Sequence, residues 1–337
     1  MKSKVVITHW VHDEVIAYLE DYCIPVVNDS KHSLPRKELL AKARDATGMM
    51  VFMPDCIDAD FLNACPSLRV VAAALKGYDN FDVSACSKRG IWFTIIPDLL
   101  TVPTAELAIA LMMGLARNVL PGDKLIRMRQ FIGWRPTLYG MGIGGSTVGI
   151  LGMGEVGRAV ARRLRGFDAK VIYYDKSPLT TTEELVLGTE RKTLEQLLRV
   201  SDFLLIALPL TKQTYHLIDS SRIRLMKTGA YIVNVGRGSV VDEQAVAVAL
   251  EQNEIAGYAA DVFEFEDWAL PSRPRVIPPA LLNHPQCTLF TPHLGSAVDR
   301  VRSEIAMAAA RNIVQALQGE IPRDAINRPL ETAAALS

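Results

Sequence analysis

Short apolar runs alternate with amphipathic stretches along the first hundred residues of the chain. The apolar runs predict buried strands at residues 5–7, 49–52, 70–75 and 91–95. Between them, apolar positions recur at helical spacing and predict helices at residues 15–22, 36–44 and 58–64. Because strands that alternate with helices pair in parallel, this part of the chain predicts a parallel α/β sheet.

A second series of strands begins at Thr147. The predicted strands lie at residues 148–151, 171–174, 203–207, 231–235, 257–262 and 288–290. Most of them are separated by helical patterns, and six such strands are what a dinucleotide-binding sheet requires. Between the two series, Thr104 is predicted to cap a long helix at residues 105–118.

A last helix, at residues 298–317, is followed by no new strand, so we expect it to return to the first sheet. The chain is therefore predicted to form two parallel-sheet α/β domains, Rossmann-like or flavodoxin-like, of which the first is discontinuous. The predicted boundaries place residues 1–98 and 296–325 in the first domain and residues 99–295 in the second. Residues 331–337 are expected to be mobile.

The composition gives no reason to expect a nucleic acid or a membrane as partner. Apolar residues make up 49% of the 337 and charged residues 22%, and 37 basic residues balance 37 acidic ones. The five cysteines form no CxxC pair, and His9 and His12 have no clear acidic or cysteine partner, so no metal site is predicted. The longest apolar helical run is too short to cross a bilayer, and we expect a cytoplasmic protein.

The motif Gly152-x-Gly154-x-x-Gly157 follows a predicted strand and opens a predicted helix. Its glycines permit a tight turn, close approach of the backbone to a pyrophosphate, and close packing of helix on strand. The next strand ends in Asp175, whose carboxylate can accept hydrogen bonds from an adenosine ribose. We therefore predict NAD as the cofactor, while Lys176 leaves NADP open as a second one.

Three polar residues follow later strands of the second series. Arg237 lies in a glycine-flanked turn, Glu266 follows Asp261-Val-Phe, and His293 follows Thr291-Pro. In a parallel sheet, side chains at the carboxyl ends of the strands meet where ligands bind. An arginine there can hold an anion, a histidine can exchange a proton, and a carboxylate can orient the imidazole.

These motifs, in this order, resemble those of the D-isomer-specific 2-hydroxyacid dehydrogenases. The resemblance implies Arg237, Glu266 and His293 as catalytic residues, a substrate-binding first domain, and a homodimer built on the nucleotide-binding domains. Asp261 would lie near the nicotinamide carboxamide. The cofactor residues it implies are Thr104, Gly152, Gly154, Glu155, Val156, Gly157, Asp175, Lys176, Leu208, Pro209, Val235, Gly236 and Asp261.

Lys76 adds an ammonium to a turn that, in this family, holds a substrate carboxylate on backbone N–H groups. Two cations, Lys76 and Arg237, suit a dianion better than a monocarboxylate. With further likeness along the chain, this resembles the phosphonate (phosphite) dehydrogenase branch, which implies NAD-dependent oxidation of phosphite to phosphate. Lys76 would take part in catalysis and bind the oxyanion with Arg237 and Arg302. The residues implied to shape the pocket are Met53, Trp134, Tyr139 and Ser296.

Two other functions remain open at this point. A D-2-hydroxyacid dehydrogenase such as a glyoxylate reductase would keep the three catalytic residues and would not need Lys76. An NAD-sensing protein could share the fold and act by binding a partner without turnover. The sequence also departs from the family at Asp267, where proline is common after the catalytic glutamate.

Overall fold

The structure is a computed structural model that describes residues 2–329, so the predicted mobile tail at 331–337 lies outside the described residues. The chain divides into two compact units. The first comprises the described residues up to Leu100, Trp268–Pro271 and those from Ala297 onward, and the second comprises Thr101–Asp267 and Ser272–Ser296. Each is a parallel α/β sheet, which confirms the predicted fold class, including the discontinuous first unit.

The strands are β1 (Ser3–Ile7), β2 (Cys23–Val27), β3 (Gly48–Val51), β4 (Val70–Ala73), β5 (Trp92–Thr94), β6 (Thr147–Leu151), β7 (Lys170–Tyr174), β8 (Thr189–Arg191), β9 (Phe203–Ile206), β10 (Tyr231–Asn234), β11 (Gly257–Ala260) and β12 (Thr288–Phe290). The helices are α1 (Asp13–Glu20), α2 (Arg36–Ala43), α3 (Ala59–Ala64), α4 (Val83–Lys88), α5 (Thr101–Ala116), α6 (Val119–Arg127), α7 (Glu155–Leu164), α8 (Thr181–Leu187), α9 (Leu194–Val200), α10 (Ser220–Ile223), α11 (Glu243–Glu251), α12 (Pro279–Leu282) and α13 (Asp299–Leu317). Within residues 2–329, no helix has both the length and the apolar character that a bilayer span needs.

The sheet of the first unit has the order β2-β1-β3-β4-β5. Its central strands β3 and β4 are buried along their whole length, and successive side chains of a strand point to opposite faces of the sheet. Val5 and Ile7 belong to the core that contains the buried residues of α1 and α13, whereas Val6 belongs to the core with Phe61 of α3. The last helix of the chain, α13, therefore covers one face of a sheet formed by the first hundred residues.

The sheet of the second unit has the order β12-β11-β10-β9-β6-β7-β8. The strand order reverses at β6, which pairs with β7 on one side and β9 on the other. Val148 and Ile150 of β6 pack in the core with α5 and α7, and Leu151 packs with α9 and α11 on the other face. A parallel sheet binds ligands where its strand order reverses, so the carboxyl ends of β6 and β9 are the expected ligand site.

The prediction for Thr104 is wrong, since α5 begins at Thr101 and Thr104 lies inside its first turn. Pro103 does not stop the helix from starting earlier, because the N–H groups of a first turn have no helical acceptor and proline can stand there. The pattern also missed two edge strands, β2, which contains Pro25, and the short polar β8. Proline and polar residues are typical of edges and weaken a strand pattern.

Candidate active site

The glycine turn between β6 and α7 leaves a space at Gly154 that fits a pyrophosphate. Gly152 has a φ of +95°, and a Cβ there would lie 2.7 Å from the carbonyl oxygen of Ala207. A Cβ on Gly157 would lie 2.1 Å from the carbonyl oxygen of Gly152, whereas a Cβ on Gly154 would meet no atom within 4 Å. Two of the glycines are thus required by packing, and the third leaves the helix N-terminus open to a ligand.

The first turn of α7 presents its backbone N–H groups toward this space. The N–H of Arg158 bonds to the carbonyl oxygen of Gly154 at 2.9 Å, so the N–H groups of Glu155, Val156 and Gly157 have no acceptor within the helix. Unpaired N–H groups and the positive end of the helix dipole favour phosphate oxygens. The residues present therefore fit the dinucleotide that the motif predicts.

Asp175 stands directly after β7 and holds the glycine turn. One carboxylate oxygen accepts the N–H of Met153 at 2.7 Å, and the other accepts the N–H of Ser177 at 2.8 Å. Each oxygen keeps a lone pair for a ribose hydroxyl. The side chain of Lys176 is exposed beside it. The roles of both residues toward a nucleotide stay predictions.

The loops after β9 and β10 meet at the reversal of strand order. A Cβ on Gly236 would lie 2.5 Å from the carbonyl oxygen of Leu208, and a Cβ on Gly152 would lie 3.0 Å from its Cδ2 atom. Val235 is buried next to them, and the carbonyl oxygen of Pro209 accepts the hydroxyl of Thr214 at 2.7 Å. These predicted cofactor residues therefore lie at the same edge of the sheet as the glycine turn.

Arg237 follows this loop in an extended conformation and is half-buried. Its Nη1 donates to the carbonyl oxygen of Gly236 at 3.0 Å. The side chain of Asn234 fixes the backbone on either side, because its amide donates to the carbonyl oxygen of Arg237 and accepts the N–H of Gly236. The turn is thus held from within, and the guanidinium follows the end of β10.

Glu266 and His293 form a hydrogen-bonded pair at the ends of β11 and β12. The Nδ1 of His293 lies 2.8 Å from Oε2 of Glu266, and Oε1 of Glu266 accepts the N–H of Phe263 at 2.9 Å. The two side chains are 30% and 20% exposed. With Nδ1 directed to the carboxylate, the Nε2 atom is the one left for proton exchange with a ligand.

The backbone of His293 is left-handed, with a φ of +55°. This conformation is uncommon for a residue other than glycine, and here the N–H of His293 donates to the carbonyl oxygens of Asp261 and Thr291 at 2.9 and 3.0 Å. Strained backbone of this kind is concentrated at functional sites. The left-handed conformation of His293 therefore lowers the stability of the folded chain, and it directs the imidazole toward Glu266.

Asp261 holds the same loop through hydrogen bonds. Its carboxylate accepts the hydroxyl of Thr291 at 2.6 Å and the N–H groups of Leu294 and Gly295 at 2.6 and 2.8 Å. Burial raises the pKa of Asp261, and these hydrogen bonds oppose that rise. A Cβ on Gly295 would lie 3.1 Å from the hydroxyl of Thr104, so Thr104 also lies beside this loop.

The first unit carries the other predicted substrate residues at the ends of its own strands. Met53 follows β3, and Lys76 follows β4 and is half-buried. The guanidinium of Arg302, on α13, lies 5.6 Å from the centre of the Phe52 ring, and burial lowers its pKa. Met53, Lys76 and Arg302 thus belong to one unit, and their contact with substrate stays a prediction.

Trp134 and Tyr139 lie on the loop after α6 and are 83% and 77% exposed. Ser296 ends the His293 loop and is half-buried. Their proposed place in a substrate pocket also stays a prediction.

A cluster of acidic side chains next to Glu266 was missed by the sequence interpretation. Glu243, Glu264 and Asp267 are all buried, and His216 lies 2.8 Å from Glu264. The only sequence signal was the position of these acids in the motifs around residues 241–243 and 261–266, where buried acids cannot be told from exposed ones.

A parallel sheet with a glycine turn where its strand order reverses defines the class of dinucleotide-binding proteins. The family model "D-isomer specific 2-hydroxyacid dehydrogenase, NAD binding domain" matches residues 109–295. The chain is 38% identical to a glyoxylate reductase of Pyrococcus horikoshii over 97% of both chains, and 39% identical to one of Aeropyrum pernix over 97% of this chain and 96% of that one. The chain belongs to the D-isomer specific 2-hydroxyacid dehydrogenases and contains their NAD-binding domain.

Solved structures agree with this assignment. The NADPH-dependent glyoxylate/hydroxypyruvate reductase of Sinorhizobium meliloti, in complex with NADP and malonate, is 27% identical and superposes with a TM-score of 0.82 over 99% of this chain and all of that one. Both NAD and NADP are thus used by proteins of this fold.

The same relatives overturn the expectation of phosphite oxidation. They match this chain nearly end to end, and the name they carry is glyoxylate reductase. The expectation rested on Lys76 and on further likeness along the chain, and a second cation can bind a carboxylate as well as a dianion. A lysine at this position is therefore not sufficient to define the substrate.

Proposed function

We propose that this chain interconverts a small 2-oxoacid and its 2-hydroxyacid with NADH and NAD, and that glyoxylate is the first substrate to test. The observation that carries this is the 2.8 Å pair of Glu266 and His293, on the same sheet as a glycine turn that fits the dinucleotide. The names of the relatives support the choice of a 2-oxoacid over other anions.

In the direction of reduction, NADH held at the glycine turn by Gly154 and Asp175 would supply a hydride to the 2-oxo carbon. His293, protonated on both nitrogens, gives the Nε2 proton to the carbonyl oxygen, so that C=O becomes CH–OH. The Nδ1 proton stays on His293 throughout and is hydrogen-bonded to Glu266. The carboxylate of Glu266 stabilises the charged imidazolium before the Nε2 proton is transferred. Solvent then restores the proton on Nε2, and the reverse sequence oxidises the hydroxyacid.

The guanidinium of Arg237 binds the substrate carboxylate through a fork of donors and polarises the neighbouring carbonyl. Lys76 and Arg302 are the proposed further contacts of the carboxylate in the first unit. Asp175 accepts the ribose hydroxyls and opposes a 2′-phosphate by charge repulsion, so NADH is the preferred reductant.

The test is a panel read at the NADH absorbance band. Glyoxylate, hydroxypyruvate and pyruvate are offered with NADH, and D-lactate, D-glycerate, formate and phosphite with NAD. Rapid consumption of NADH with glyoxylate or hydroxypyruvate is the expected result. Turnover of phosphite without reduction of any 2-oxoacid would overturn the proposal, and tight NADH binding without any turnover would favour the non-catalytic NAD-sensing function.

We also propose that the chain is a homodimer that covers the surface around α6. None of the residues of α6 is buried in the described chain. Val119, Leu120 and Ile126 of that helix and Phe131 and Ile132 beyond it are 52–78% exposed, and exposed apolar clusters of this kind mark interaction surfaces. Light scattering after gel filtration is expected to give twice the 37.1 kDa chain mass. The substitution Ile132→Lys is expected to shift the measured mass toward that of the monomer. A monomeric wild-type chain refutes the proposed dimer.

A further inference from the structure

The two turns that carry Arg237 and Glu266 pack directly on each other. Gly238–Val240 and Glu264–Glu266 each form a single 3₁₀ turn. A Cβ on Gly238 would lie 1.9 Å from the carbonyl carbon of Phe263, so only glycine fits at this contact. The position of one turn therefore sets the position of the other.

Buried carboxylates join these turns to the start of α11. Oε1 of Glu264 accepts the N–H of Glu243 at 3.0 Å, and Oε1 of Glu243 accepts the N–H of Glu264 at 2.8 Å. Oδ2 of Asp267 accepts the N–H of Ser239 at 2.7 Å. The segment that ends in Glu266 is thus bonded on both sides, through Glu264 and through Asp267.

His216 connects the same two turns from a third segment. Its N–H donates to the carbonyl oxygen of Ser239 at 2.7 Å, and its Nε2 lies 2.8 Å from Oε2 of Glu264. Its ring stacks on Tyr215 with the ring centres 4.1 Å apart. Both oxygens of Glu264 then act as acceptors, one for Glu243 and one for the imidazole, which acts as the donor.

The two glutamates of this cluster, Glu243 and Glu264, have different roles: Glu243 carries a proton and Glu264 acts as an acceptor. Burial, with the carboxylates of Glu264, Asp267 and Glu266 nearby, raises the pKa of Glu243 to about 8. Glu243 therefore carries a proton at neutral pH, and the imidazole donor of His216 compensates the acceptor Glu264. The titratable side chains that interact with Glu264 or its partners are those of Tyr215, Asp242, Glu243, Tyr258, Glu266 and Asp267.

We propose that His216 is a positioning residue: it holds Glu264, and through the Glu264–Glu266 turn it holds the Glu266 carboxylate in line with Nδ1 of His293. This deepens the proposed function and rests on it for the reaction affected. His216 and Glu264 do not themselves touch Nδ1 of His293, whose partner is Glu266. Loss of the imidazole donor leaves a buried acceptor short of one partner, and the turn relaxes.

The test compares His216→Leu with His216→Gln, whose amide can still donate to Glu264. The first readout is the low-field proton resonance of the His293 Nδ1–H bonded to Glu266, assigned by its absence in His293→Asn. The second is the separation of kcat from the KM for NADH. We expect His216→Leu to shift or broaden the resonance and to lower kcat by roughly tenfold to a hundredfold with the KM for NADH unchanged, while His216→Gln stays near wild type.

Glu264→Met provides a second variant if His216→Leu fails to fold, because it keeps the length of the side chain and offers the imidazole no oxygen acceptor. It is expected to cause the same loss. An unchanged resonance and kcat in the leucine or the Glu264→Met variant overturns the proposal. So does an equal fall of kcat, NADH affinity and thermal stability in both His216 variants, which indicates a general structural role. The resonance needs no substrate, so it decides the positioning even if glyoxylate is not reduced.

Discussion

The buried side chain of Glu243 makes the stability of the second unit depend on pH in a definite direction. It is fully buried at the start of α11; Oε1 accepts the N–H of Glu264, and Oε2 has no hydrogen-bond partner among the described residues. Burial and the neighbouring carboxylates raise its pKa from 4.5 to about 8. The folded state therefore holds this proton more tightly than the unfolded state does.

The contribution of Glu243 to the free energy of unfolding then falls as pH rises from about 4.5 to about 8, because this side chain binds more protons in the folded state in that interval. Each pH unit costs about 1.4 kcal/mol, which gives roughly 5 kcal/mol over the whole interval as an upper bound. Glu243→Gln keeps the acceptor for Glu264 and removes the titration. The variant is expected to match the wild type within about 1 kcal/mol near pH 5 and to exceed it by roughly 3–5 kcal/mol near pH 9.

Denaturant unfolding followed by circular dichroism, repeated across this pH range, measures the difference. Glu251→Gln is the matched control, since Glu251 ends the same helix and is exposed, and its difference from wild type should not vary with pH. A Glu243→Gln difference that stays constant between about pH 5 and pH 9 would refute the assignment of a buried proton to Glu243.

Three further predictions concern the active site. The variant His293→Asn is chosen because asparagine tolerates the left-handed backbone. It is expected to lower kcat by about 10²–10⁴-fold, while fluorescence titration shows unchanged NADH binding. Retained activity would exclude His293 as the proton donor. Gly154→Ala should keep the melting temperature of the wild type and weaken NADH binding. Gly157→Ala should lower the melting temperature itself, because its Cβ would lie 2.1 Å from the Gly152 oxygen. A lower melting temperature for Gly154→Ala than for Gly157→Ala would contradict the packing argument. Asp175→Asn keeps an acceptor for Met153 and removes the charge, so the ratio of kcat/KM for NADH to that for NADPH should fall about tenfold or more, and an unchanged ratio would show that charge does not select the cofactor.

The sequence predicted the fold class because strands buried on both faces leave continuous apolar runs such as 148–151, which periodicity detects. It missed β8 and β2 because edge strands carry polar residues or proline. It brought Glu266 and His293 to neighbouring strand ends, as the hydrogen bond between them requires. It could not find the His216–Glu264 contact, because those residues are 48 positions apart and no local pattern links them. Substrate choice failed for a different reason, since one charge is compatible with several anions.

The position of α13 has a consequence for how the chain is made. Val5, Ile7, Met50 and Val70 share their core with Ile305, Ala309 and Ile313 of that helix. During synthesis, the strands that begin the chain have an uncovered apolar face until the last helix leaves the ribosome, whereas the second unit lies entirely upstream of it. The second unit can thus fold while translation continues. The N-terminal strands are synthesised first, but their core is completed last. A chain whose translation stops after Ser296 but before α13 contains every residue of the nucleotide-binding unit and leaves one apolar face of the first sheet uncovered. Such a molecule is a substrate for chaperones and proteases.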